Sequence, residues 1–128
     1  MEEIKVGEFA RINKDFRIIC LGIGKVVNIN QNTIYIKMSS NDLPIAFNVD
    51  SIAKHSSNII DVIEVGDYVN YSRVIGFVYD EEKSIKEGVD EKIGVIVEER
   101  WDLTKYFETD IKSIVTHEQF NSIKYEVI

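Results

Sequence analysis

Along TIYIKM (33–38) apolar and polar positions alternate with a period of two, which sets Ile34, Ile36 and Met38 on one face of a half-buried strand. The runs FRIICL (16–21) and GKVVNI (24–29) are rich in β-branched and apolar residues and predict two further strands. Asn30, Gln31 and Asn32 predict the hairpin turn into TIYIKM, because Asn tolerates left-handed backbone angles. IAFNV (45–49), set off by SSNDLP (39–44), adds a short strand. The pattern then breaks in DSIAKHSSNIIDVI (50–63). Asp50 and Asn58 are candidate caps there, and Ile59, Ile60 and Ile63 fall at helical spacing, which predicts a short helical connector. Strands resume at VGDYV (65–69) and from Arg73 to Tyr79, followed by the charged DEEKSIKEGVDEK (80–92), which reads as a long mobile hairpin loop or a poorly packed excursion. At the end, DIKSIV (110–115) predicts a strand. Thr116 with Gln119 predicts a capping box opening a two-turn helix, and KYEVI (124–128) a final strand.

The chain begins the same phrase twice. IKVGEF (4–9) and IEVGDY (63–68) share the order Ile, charge, Val, Gly, acid, aromatic. A second echo links IGKVVNI (23–29) to IGVIVEE (93–99), 19 and 30 residues after the respective first motifs when counted from their starts. The difference is about the size of the charged loop, so the two matches together argue for an internal structural repeat. Gly24 and Gly94 are read as places where a strand bends or another backbone comes close. The order resembles that of SH3-like and KOW-like small barrels. The expected fold is therefore mainly β: two small barrels or curved sheets in tandem, residues 1–50 and 63–128, joined by the connector 51–62. The second holds the acidic loop and a short C-terminal helix expected to plug its open end.

Charge sharpens this division. The chain of 128 residues carries a net charge of −7, yet residues 1–62 balance seven acids with seven bases, and residues 63–128 hold fifteen acids against eight bases. Phosphate neutralisation needs a basic face, so the second half excludes itself from nucleic acid and is suited to a basic partner. The candidate protein-interaction surface is Asp80, Glu81, Glu82, Glu87, Asp90, Glu91, Glu98 and Glu99, with Trp101 and Tyr106 beside them. Aromatic residues ringed by charge are typical of interface centres; the competing reading has Trp101 and Phe107 cover the core. In the balanced half Arg11, Lys14, Arg17, Lys25 and Lys37, with Tyr35, form an alternative surface for an anionic ligand.

Catalytic chemistry finds little support. His55 and His117 stand 62 positions apart with no metal-ligand spacing around them, and they read as structural or surface residues. Cys20 is the single cysteine, in an apolar run without a neighbouring base, so no intrachain disulfide forms and a reducing cytosol is expected. Phosphate-binding glycine motifs and the EF-hand spacing are absent. The expectation is a cytoplasmic, non-enzymatic protein without a cofactor or metal, and without a signal peptide or membrane span. Self-association stays open.

HSSNIIDVIEVGDYVN (55–70) and DIKSIVTHEQF with its terminal Tyr125 and Val127 (110–127) are similar to a recurrent pattern in small phage and prophage proteins of low-GC Gram-positive bacteria. The resemblance implies a bacterial host cell, a constant scaffold, and a variable part in residues 1–50 and 71–109 that selects the partner. It carries no catalytic residues over. With the charge asymmetry it implies an anti-CRISPR-like inhibitor of a host defence or nucleic-acid-handling protein, such as a CRISPR effector. The alternatives are sequestration of a nucleotide signal and a phage structural or assembly module.

Overall fold

The computed structural model of the chain describes residues 3–13 and 21–123, the side chains of 121–123 excepted. The chain forms two compact units, one made of Met1–Val62 with the segment from Glu118 onward, the other of Ile63–His117. In the first, β1 (Phe9–Ile12), β2 (Gly22–Asn30), β3 (Thr33–Lys37), β4 (Ile45–Asn48) and β5 (Ile52–Ser56) form one antiparallel sheet in the order β4-β3-β2-β1-β5. In the second, β6 (Tyr68–Val69), β7 (Ser72–Tyr79), β8 (Lys92–Glu99), β9 (Asp102–Phe107) and β10 (Ile114–Val115) follow the order β10-β6-β7-β8-β9. Each unit is a four-stranded meander whose fifth strand returns to pair with the first through a one-turn 3-10 helix, Val49–Ser51 or Glu108–Asp110. The protein is thus mainly β and duplicated in topology, as the repeat in the sequence predicts.

Period-two alternation builds the cores. On β3, Ile34 and Ile36 are buried while Thr33, Tyr35 and Lys37 face outward, and Ile4, Ala10, Ile12, Val26, Phe47 and Ile52 complete the first cluster. In the second unit Ile63, Val69, Val74, Val95 and Val97 are fully buried. Each buried Val, Ile or Phe side chain contributes about 1.5–3 kcal/mol by leaving water.

The echoed motif is one turn built twice. Glu8 donates its amide to Lys5 O at 3.2 Å and Asp67 its amide to Glu64 O at 3.1 Å. The acid side chain closes the same turn: Glu8 Oε1 accepts from the Lys5 amide at 2.7 Å, and Asp67 Oδ2 accepts from the Glu64 amide at 2.8 Å. Gly7 and Gly66 stand at φ +94° and +99°, where a side chain is strained, so the Val-Gly-acid order is a backbone requirement. Their amides reach Val26 O at 2.8 Å and Val74 O at 2.9 Å, and those valines donate back to Glu8 O at 2.9 Å and Asp67 O at 2.7 Å. Immediately past each valine the strand bulges, between Val26 and Asn28 and between Val74 and Gly76.

That equivalence of β2 with β7 corrects the second echo. Gly24 lies on β2, the second strand of its sheet, but Gly94 lies on β8, the third. The halves differ in two places whose effects on spacing oppose each other. The link from β1 to β2 spans 13–21 where β6 and β7 are joined by Asn70 and Tyr71 alone; Gln31 and Asn32 join β2 to β3 where 80–91 join β7 to β8. Gly24 and Gly94 do serve close approach: an added Cβ would stand 2.7 Å from Lys37 O and 2.8 Å from Tyr106 O, respectively.

Three further segments differ from expectation. Residues 52–56 of the connector 51–62 form strand β5, which covers the open edge of β1 with Ala10 opposite His55, and Ile59–Val62 makes a helical turn, burying Ile60 and Val62. The charged stretch after Tyr79 is not a loop throughout but holds helix α1 (Glu81–Glu87). Asp80 caps it by accepting from the Lys83 amide at 3.2 Å, and Gly88, at φ +65°, donates to Ser84 O at 3.1 Å. The predicted C-terminal helix forms as α2 (His117–Ile123), but from Glu118 on it belongs to the first unit, where the Glu118 carboxylate pairs with Arg11. The predicted strands at 16–21 and 124–128 lie outside the described residues, apart from Leu21.

Candidate functional site

The acidic residues of the second unit divide between two ends of β8. From Lys92 to Glu99 the strand runs seven steps, about 23 Å. At its start is α1. Glu81, Glu82 and Glu87 are exposed on this helix, and Ile85 among them is 84% exposed. Asp80 is spent on the cap, Asp90 accepts from Ser84 Oγ at 3.1 Å, and Glu91 pairs with Lys83, whose pKa it raises chiefly through that hydrogen bond. Lys86 Nζ stands 3.9 Å from Glu82 one helical turn away.

At the other end of β8 two hairpin turns lie side by side. Arg73 on β7 is opposite Glu98 on β8, and Glu99 is opposite Asp102 on β9, so the turns Asn70–Tyr71 and Arg100–Trp101 are neighbours, about 10 Å apart at two strand spacings. Tyr106 donates its hydroxyl to Glu99 Oε1 at 2.8 Å and Ser72 donates Oγ–H to the same oxygen at 3.3 Å. Tyr106 keeps its proton above the usual tyrosine range, first because of the hydrogen bond to Glu99 and then because of burial. Among the described residues nothing donates to Glu99 Oε2.

Backbone strain marks both turns. Asn70 and Tyr71 take φ 51° and 70°, the pair of left-handed residues of a type I′ hairpin that ordinarily reads Asn-Gly. Asn70 has local work there: its Oδ1 accepts from the Lys112 and Ser113 amides at 2.8 and 3.1 Å, and its Nδ2 donates to Asp110 O at 2.8 Å. Tyr71, by contrast, is 87% exposed in a conformation that suits glycine. Arg100 is left-handed too, at φ 42°, and Trp101 beside it is 93% exposed. Of the two readings of Trp101, core cover is therefore excluded. Phe107, 42% exposed on the sheet's outer face, lies against Gly94. Tyr71 and Arg100 are the residues that sequence reasoning missed; Asn-Tyr between two short apolar runs was the available signal.

The alternative basic surface loses its centre. Arg11 is fully buried, donating through Nη1 to Val62 O at 3.0 Å and through Nε and Nη2 to the Glu118 carboxylate. A buried guanidinium needs such partners, so Arg11 is an internal tie and not a ligand contact. Lys25 and Lys37 do face each other across β2 and β3, the first 5.8 Å from the Phe9 ring centroid, the second donating to Ser40 O at 3.4 Å, with Tyr35 half-buried nearby. Lys14, Arg17 and Cys20 lie outside the described residues.

Both histidines are paired with acids inside their own units. His55 Nδ1 is 3.0 Å from Glu8 Oε1; His117 Nε2 is 2.8 Å from Glu64 Oε1, and the His117 amide donates to Asp67 Oδ1 at 2.9 Å. No helix among the described residues is long and apolar enough to cross a membrane. A scan against protein-family models matches none, and searches of curated proteins and of solved structures find no similar protein.

Proposed function

We propose that the protein is a non-enzymatic binding protein whose second unit engages a basic surface on a protein partner. The observation that carries this reading is α1: a capped helix, formed before any partner arrives, that presents Glu81, Glu82 and Glu87 around an exposed Ile85. It belongs to a unit, Ile63–His117, with thirteen acids and seven bases, a net charge of −6. Such a field repels nucleic acid and accelerates encounter with a basic face. The resemblance of residues 55–70 and 110–127 to small phage proteins supports a cytoplasmic setting in a bacterial host. In that setting the partner is a defence or nucleic-acid-handling protein whose nucleic-acid-binding face the acids occupy.

The test immobilises the full chain, exposes it to host lysate at low and high ionic strength, and identifies what is retained. The comparison is a variant with Glu81→Lys, Glu82→Lys, Glu87→Lys and Asp90→Lys. Retention of a nucleic-acid-handling protein by the wild type, lost at high salt and in the variant, supports the reading. Retention of the same protein by the charge-reversed variant overturns it.

A further inference from the structure

The opposite end of the second sheet holds features that an electrostatic role for α1 leaves unused. Two adjacent hairpin turns each place a non-glycine residue in the left-handed region, Tyr71 at φ 70° and Arg100 at φ 42°, and each exposes a large aromatic ring, Tyr71 or Trp101. Strain of this kind persists where something other than folding selects the residue. Between the turns, Glu99 is held by Tyr106 and Ser72 through one oxygen, which orients the carboxylate and leaves the second oxygen to accept from a visitor. Tyr106 donates to Oε1 and so leaves Oε2 of the carboxylate for a cation.

We propose that this end of the second sheet is the specific contact surface: it takes an arginine- or lysine-bearing segment of a protein partner, with the cation set at the Glu99 carboxylate and flanked by Tyr71 and Trp101. Charge complementarity chooses the occupant. Glu98, Glu99 and Asp102 outnumber Arg73 and Arg100 at this end of the sheet, a local excess of negative charge that favours a cationic side chain and disfavours phosphate. Aromatic faces add cation–π attraction for the same guest, strongest for Trp and more often used by Arg than by Lys. Trp, Tyr and Arg are also the residue types that dominate binding energy at protein interfaces. The proposal rests on the basic-partner reading and narrows it, with α1 contacting the partner's wider basic face and the turns supplying specificity.

Trp101 is the single tryptophan of the chain, so intrinsic fluorescence reports on this end alone. The full chain is titrated with an acetylated, amidated hexa-arginine peptide, followed by fluorescence and by calorimetry. A saturable change in Trp101 emission is expected, with affinity roughly tenfold weaker in Glu99→Gln and, by calorimetry, in Trp101→Ala. The charge-reversed α1 variant loses less than about threefold at physiological salt, because the Debye length of about 8 Å is short against the length of β8. Trp101→Ala removes an exposed side chain, so its result does not depend on folding. Binding that survives both substitutions and disappears in the α1 variant overturns this site while leaving the acidic-helix reading standing. No peptide binding, with a saturable response to a single-stranded oligonucleotide instead, overturns both. A Trp101 signal that changes on dilution of the chain alone overturns the proposal in favour of a second copy as occupant.

Discussion

Replacing Tyr71 by Gly separates stability from binding. The substitution turns Asn70-Tyr71 into Asn-Gly, the pair that a type I′ turn with φ 51° and 70° prefers. A left-handed conformation costs an L-residue about 1–2 kcal/mol, and part of its relief, about 0.5–1 kcal/mol, is returned as the greater chain entropy of glycine in the unfolded state. The ring is 87% exposed, so little packing is lost with it. The balance is a gain of about 0.5–1 kcal/mol. Urea denaturation of wild type and variant, followed by circular dichroism, measures it as a higher midpoint with an unchanged slope; in a thermal scan the shift is about 2–4 °C upward. The same variant binds the cationic peptide several-fold more weakly, because one flanking aromatic face is gone. A variant that is less stable than wild type refutes the assignment of strain to Tyr71. One that is more stable and binds as well as wild type refutes the functional reason given for that strain.

Other expectations follow from the duplicated turn and the internal ties. Gly7→Ala and Gly66→Ala each cost about 1–3 kcal/mol and by similar amounts, since both positions are strained by φ and neither added Cβ meets an atom closer than 3.9 Å; chemical denaturation checks this, and costs differing by more than about 2 kcal/mol contradict the equivalence of the turns. Gly94→Ala is at least as damaging for a different reason, because its Cβ would press on Tyr106 O at 2.8 Å, and the loss shows as a lower denaturation midpoint. Arg11→Met strips Val62 O and the Glu118 carboxylate of a buried donor and lowers stability by about 3 kcal/mol, less to the extent that Glu118, 21% exposed, takes up water; a midpoint unchanged within error speaks against the tie. Alkaline spectrophotometric titration finds a phenol that ionises later in the folded chain than in the unfolded one and is missing in Tyr106→Phe. Because its folded pKa is raised, the stability linked to that group is present in full below the ordinary tyrosine pKa of about 10 and is lost as pH climbs through the folded value.

Much of the architecture was legible because it obeys local rules. Ile34 and Ile36 alternate with polar neighbours and are buried, and the Ile-x-Val-Gly-acid phrase requires a left-handed glycine and a carboxylate closing the turn, so equal phrases fold into equal turns. The Ile-Gly echo carries no such requirement. Gly24 and Gly94 answer close approach in strands of different rank, and sequence spacing alone did not separate them. Residues 52–56 were hidden for a tertiary reason: a five-residue stretch with one buried Ile becomes a strand because β1 offers an edge. Helix α1 was legible through Asp80 and Gly88, but its charge masked the caps. Of the site, the acids and Trp101 could be named from the chain, while their separation along β8 depends on register. Arg11 reads as a surface base until the topology brings Glu118 and Val62 to it. Tyr71 stands out only through a backbone angle.

Displacement of nucleic acid from the captured partner tests the account most directly. A labelled oligonucleotide is bound to the host protein retained by the immobilised chain, and the full-length chain is added while fluorescence anisotropy is followed. The account predicts that the oligonucleotide is released as the chain saturates its partner, that release weakens with rising salt, and that Glu99→Gln and the charge-reversed α1 variant each displace less. An oligonucleotide that stays bound at saturating chain, or that transfers to the chain itself, contradicts it.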